Sequence, residues 1–86
     1  MPEISRFYGI IIRMYFRDHN PPHFHAEYQG MKAEYNLRNF DIIDGNLPKR
    51  ANGLVVEWAS KHSAELMENW EKAAKCERMV KIKSLE

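Results

Sequence analysis

The sequence predicts an α+β fold, a small antiparallel β-meander of three to four strands followed by a C-terminal helical segment packed on one face. Three observations predict it. Residues 7–44 are rich in β-branched and aromatic residues, are interrupted by turn-forming pairs and fit no helical period. Residues 48–74 switch to apolar spacings of three and four. The two kinds of segment come in separate blocks, and helices then cover one face of a sheet.

Phe7 to Phe16 reads as one long strand, with Ile10, Ile12, Met14 and Phe16 facing the core and Gly9, Ile11, Arg13, Tyr15 and Arg17 facing away. The Asp18–Pro22 corner ends it, because a Pro-Pro pair fits neither a helix interior nor a central strand. A second strand runs from His23 to Gln29 and turns at Gly30, and a third runs from Lys32 to Leu37. Phe40 to Asp44 is a candidate fourth strand, closed by the turn pair Asp44-Gly45.

Pro48 suits a first helical turn. Leu54, Val55, Trp58, Ala59, His62, Leu66, Trp70, Ala73 and Ala74 then form an amphipathic stripe that places both tryptophans in the core. Ser60 or Ser63 is suited to cap a second helix, so the segment is either one long helix or two broken near His62. His62 reads as a satisfied core or helix-end residue. Met79 to Leu85 alternates in the manner of a short C-terminal edge strand guarded by lysines, or is a frayed tail.

At 86 residues the chain is one domain, 1–86, near the lower limit of what folds alone. A net charge of +1 gives no bulk attraction to nucleic acid or membrane, so any basic patch has to be local. The single cysteine, Cys76, excludes an internal disulfide and suits a reducing compartment. No N-terminal signal peptide is expected, and the apolar run Gly9 to Ile12 is far too short to span a bilayer. A soluble cytoplasmic protein is the expectation.

Three of the four histidines fall in the seven positions 19–25. On an extended strand His23, His25 and Glu27 share one side, with Phe24, Ala26 and Tyr28 on the other. Two imidazoles at i and i+2 can ligate one divalent transition metal, the one cofactor this pattern suggests. Glu27, or His19 or Asp18 across the corner, completes a three-ligand set; the candidate ligands are therefore His19, His23, His25 and Glu27, with Asp18 in reserve.

The same face permits metal-free chemistry. Paired first strands place Arg13, Tyr15 and Arg17 beside His23, His25 and Glu27. A histidine for proton transfer and an arginine for phosphorane charge are what a ribonuclease needs, which makes His23, His25 and Glu27 the catalytic candidates. Arg13, Tyr15, Arg17, His19, His23 and His25 are equally the candidates for plain binding of a protein or nucleic acid. A third account is structural: each histidine of the corner donates to a backbone carbonyl and fixes the hairpin.

The strings Ile4-Ser5-Arg6-Phe7-Tyr8-Gly9-Ile10, Arg13-Met14-Tyr15-Phe16 and His19-Asn20-Pro21-Pro22-His23-Phe24-His25-Ala26-Glu27-Tyr28 resemble a small bacterial family labelled domain of unknown function 4160. Leu47-Pro48-Lys49-Arg50-Ala51, Val56-Glu57-Trp58-Ala59, His62, Glu65-Leu66 and Asn69-Trp70 continue the resemblance, while Arg38-Asn39-Phe40 stands where relatives carry a more Gly-like turn. The resemblance implies no established activity, substrate or cofactor. Members of the family are often encoded beside another small protein, in the manner of toxin–antitoxin pairs. That implies a binding module with a small partner protein, or a second copy of itself, with nucleic acid a further candidate and no membrane. A small hydrolase on the His23, His25 and Glu27 face is the alternative.

Overall fold

Two dipeptides set the register of the sheet. Tyr8-Gly9 has φ of 50° and 79°, and Gln29-Gly30 has 48° and 80°. Positive φ at both central residues is the mark of the two-residue hairpin turn whose twist matches that of its strands. Phe7 therefore faces Ile10, and Tyr28 faces Met31.

The computed structural model describes residues 3–85. It comprises β1 (Glu3–Phe7), β2 (Ile10–Arg13), β3 (His23–Tyr28), β4 (Met31–Asn36), β5 (Ile42–Gly45), α1 (Lys49–Lys61) and α2 (Ser63–Ala74). The strands form one antiparallel sheet in the order β1-β2-β3-β4-β5, which makes the protein an α+β meander with C-terminal helices.

The expected first strand, Phe7 to Phe16, is regular only over Ile10–Arg13. Tyr8-Gly9 turns the chain into a hairpin with a strand before it, β1, which brings the strand count to five rather than three to four. Phe16, expected in the core, is 46% exposed, because regular pairing ends at Arg13 and the chain leaves the sheet through Arg17 at φ 54°.

The helical segment breaks at His62, whose φ of −128° is not helical. α1 buries Ala51, Val55, Trp58 and Ala59, and α2 buries Leu66, Asn69 and Ala73, so each helix turns one stripe inward. They meet a sheet face built from Phe7, Ile10, Ile12, Phe24, Ala26, Ala33 and Tyr35. Phe24 stacks on Tyr35 at 5.2 Å, and Trp58 meets Phe24 edge-on at 5.9 Å. Burying each such side chain stabilises by about 1.5–3 kcal/mol, so these rings set the position of α1. Trp70, in contrast, is only half-buried and sits beside His23.

The C-terminal segment is neither strand nor frayed tail. Ile82 N–H donates to Ile4 O at 2.8 Å, and the Trp58 indole N–H donates to Lys83 O at 2.9 Å. Ile82 and Leu85 are buried in the core cluster. Side-chain anchoring replaces the ladder expected of an edge strand.

Candidate functional site

The sheet face away from the core carries half-exposed charged side chains, with Trp70 of α2 covering it at His23, and cross-strand register arranges them. Arg13, His25, Glu34 and Asp44 lie in a row across β2, β3, β4 and β5. Beside them Glu27 faces Ile11 on one flank and Lys32 on the other. Glu27 Oε2 lies 3.2 Å from Arg13 Nε, at ion-pair distance but without hydrogen-bond alignment. The ring of Tyr15 meets His25 edge-on at 4.5 Å.

The Asp18–Pro22 corner folds a carboxylate over the start of β3. Asp18 Oδ2 lies 3.0 Å from His25 Nε2 and 3.0 Å from His23 Nε2. The contact with His25 is a hydrogen bond, in which the imidazole N–H donates to the carboxylate. The contact with His23 has no hydrogen-bond alignment, and His23 Nε2 is buried without a partner. Asp18 Oδ1 accepts the His19 backbone N–H at 2.9 Å, and His19 Nδ1 lies 3.0 Å from the same atom.

Burial is the largest influence on the Asp18 carboxyl and pushes it up. The His25 hydrogen bond and the His19 amide, with the neighbouring imidazoles, together outweigh it, leaving Asp18 below its ordinary 3.8. Asp18 is thus held as an anion at the centre of three histidines.

His23 is only 1% exposed, set behind Asp18 and against Trp70 of α2 at 5.3 Å. Its Nδ1 lies 2.7 Å from Pro21 O. A carbonyl oxygen can only accept, so Nδ1 carries the proton and a neutral His23 presents a bare Nε2 lone pair. Glu34 Oε1 sits 3.4 Å from that atom. The loop is fastened to α2 by Arg17 N–H donating to Ala73 O at 3.1 Å.

Two sets of ligand atoms therefore converge within 4.8 Å, Asp18–His23–His25 and His19–His23–Glu34, with His23 common to both. Of the residues singled out from sequence, His19, His23 and His25 gather here and Arg13 and Tyr15 border the group. Arg17 is exposed and contributes its backbone to the loop rather than a side chain to the cluster. Glu27 lies outside both sets and sits against Arg13, one step further along β3 from the corner than His25.

Asp18, held in reserve from sequence, is central, and Glu34 and Trp70 were not anticipated. The signal for Glu34 was present: a two-residue turn at Gln29-Gly30 pairs residue 28 with 31, and therefore His25 with Glu34. The expectation that each histidine donates to a backbone carbonyl holds for His23 with Pro21. His25 instead donates to the Asp18 carboxylate, and His62 Nδ1 lies 2.7 Å from Glu65 Oε1 at the helix junction.

Among the described residues no helix is long and apolar enough to cross a membrane. No curated protein and no solved structure matches the chain. Residues 9–71, which include the histidine corner, Glu34 and Trp70, match the family described as Domain of unknown function (DUF4160), and the chain belongs to that family.

Proposed function

We propose that this protein is a binding module of a two-protein, toxin–antitoxin-like system in the bacterial cytoplasm, meeting a small partner protein through the sheet face opposite its helices. The observation that carries this reading is the row Arg13, His25, Glu34 and Asp44, flanked by Tyr15, Glu27 and Lys32. Arginine and tyrosine anchor protein interfaces out of proportion to their abundance. Four carboxylates on or beside this face, Asp18, Glu27, Glu34 and Asp44, oppose a nucleic-acid backbone and favour a protein of mixed charge. Co-expression with the protein encoded beside it, followed by size exclusion, tests the reading. A stable complex is expected that is lost with Arg13→Glu or Tyr15→Ala while the fold persists. Absence of a complex, or one indifferent to both substitutions, overturns it.

A second reading, a small metal-independent hydrolase such as a ribonuclease, is favoured by the His25–Asp18 hydrogen bond. A carboxylate that orients an imidazole is a proton-transfer pair, and Arg13 across the strand is placed to offset phosphorane charge. His23 is too buried to touch a substrate directly, so His25 carries the proton transfer in this reading. RNA cleavage by purified protein, abolished by His25→Ala, supports it. Intact RNA after prolonged incubation with folded wild type removes it.

A further inference from the structure

We infer that Asp18, His23 and His25 form a binding site for one divalent transition metal ion of the zinc class. The inference concerns the corner, and it does not depend on the partner-binding reading.

The buried lone pair of His23 carries the argument. Its Nδ1–H is committed to Pro21 O at 2.7 Å, so Nε2 faces the cluster as an acceptor with no donor to meet it. The atoms nearest to it are themselves acceptors, Asp18 Oδ2 at 3.0 Å and Glu34 Oε1 at 3.4 Å. A lone pair and two carboxylate oxygens converging beside a buried atom repel one another unless a metal ion, or a proton on Nε2, lies between them, and Nε2 has no aligned hydrogen bond to either oxygen. An imidazole whose second nitrogen donates to a backbone carbonyl is also how metal-ligating histidines are held, since that bond fixes both tautomer and ring orientation.

The spacing is of the right size. Donor atoms about 2.0–2.2 Å from a tetrahedral ion stand roughly 3.3–3.5 Å from each other. Asp18 Oδ2 is 3.0 Å from both imidazole nitrogens, and all three donors lie within 4.8 Å of one another. A displacement of a few tenths of an ångström opens this triangle around an ion. The set is two nitrogens and one carboxylate oxygen, a borderline mixture that suits zinc, iron, cobalt or nickel better than calcium or magnesium.

Charge agrees with the donor set. Asp18 and Glu34 together offset a divalent ion, while Arg13, across the strand from His25, is paired with Glu27. His25 Nε2 donates its proton to Asp18 in the metal-free site, so an ion takes the place of that hydrogen bond between the two side chains. His19 borders the group at 75% exposure, its ligand atom within 4.8 Å of those of His23 and Glu34.

The test is calorimetric titration of chelator-treated, tag-free protein with zinc chloride, repeated with cobalt(II) and read by its visible absorption. Wild type is expected to bind one ion per chain. Asp18→Asn and His25→Gln each weaken binding at least about a hundredfold, since loss of even an outer-sphere partner costs about 10–100-fold. Both approach the site from different segments and leave the buried His23 in place, so either variant, once shown to melt cooperatively, decides the question. Glu27→Gln, outside the cluster, keeps wild-type affinity. Folded wild type that binds no ion overturns the site, and so do Asp18→Asn and His25→Gln variants with unchanged affinity. Binding abolished by His19→Ala alone, or reduced by Glu27→Gln as much as by Asp18→Asn, assigns the ion to exposed side chains and also overturns it. The titration uses the isolated chain, so its failure leaves the partner-binding reading standing.

Discussion

The side chain of Asn69 closes a two-point hydrogen-bonded ring with the backbone of Val80. Its Nδ2 donates to Val80 O at 2.8 Å, and its Oδ1 accepts Val80 N–H at 2.9 Å. The amide copies what a neighbouring strand would offer, and at 2% exposure it does so out of reach of water. Asn69→Ala removes both partners at once. We expect a loss of about 2–3 kcal/mol in urea unfolding, with the Ile82 amide losing hydrogen-exchange protection. An Ile82 amide as protected as in wild type would show that the segment is held without Asn69.

Tyr35 of β4 is tied to α1, its hydroxyl donating to Asn52 Oδ1 at 2.7 Å. Tyr35→Phe is expected to cost about 1 kcal/mol near neutral pH, because Asn52 can turn to water. Burial pushes the Tyr35 hydroxyl up from 10.0 to about 12. The folded chain thus keeps a proton that the unfolded chain gives up, so this contribution is complete below pH 10 and drains away as pH rises through about 12. The stability difference between wild type and Tyr35→Phe should narrow between about pH 10 and about pH 12. A constant difference over that range would count against a buried neutral hydroxyl.

Replacing the two strand-borne histidines should give unequal results. His23→Ala leaves Pro21 O without its donor and opens a gap against Trp70, for an expected loss of about 2–4 kcal/mol in metal-free protein. His25 is 22% exposed and bonded to a carboxylate that water can also reach, so His25→Ala should cost less than about 1 kcal/mol. Thermal melts in the presence of chelator rank the two, and the reverse order would contradict the burial described for His23.

Glycines in different settings should respond with opposite sign. Gly45 has φ +74°, and a Cβ there would be driven into the Lys32 carbonyl of the facing strand. Gly45→Ala should cost at least about 2 kcal/mol and loosen β5. Gly53 lies within α1 with open space around the added carbon, so Gly53→Ala should stabilise by about 0.5–1 kcal/mol. Chemical denaturation of the pair checks both signs, and a destabilised Gly53→Ala would mean that α1 packs more closely than described.

Much of the fold follows from local chemistry. The Pro-Pro corner, the Gly30 turn, the break at His62 and the inward stripe of Val55, Trp58 and Leu66 all rest on backbone restriction or apolar period. The Tyr8-Gly9 hairpin was hidden, because tyrosine at φ 50° is an unfavourable choice that sequence preference does not flag. The anchoring of residues 79–85 was hidden for another reason. It depends on Asn69 and Trp58, and a side-chain amide or indole gives no sign in sequence of which backbone it will meet. The site was legible as a histidine face, but the choice of Glu34 over Glu27 needed the register. The burial of His23 needed its contact with Trp70, and periodicity that put Trp70 on the inward stripe did not say which residue it would cover.

The hydrogen bond from Ile82 to Ile4 brings the two ends of the described chain to one edge of the sheet. A short flexible linker can therefore join them covalently without bending a strand, and closing the loop costs little entropy. New ends opened at the exposed residues Arg38 and Asn39, in the connection before β5, interrupt no strand or helix. Such a circular permutant would keep the Asp18–His25 corner whole while reversing the order in which the sheet hairpins and helices leave the ribosome. The architecture thus belongs to the ring of contacts rather than to the linear order of the chain.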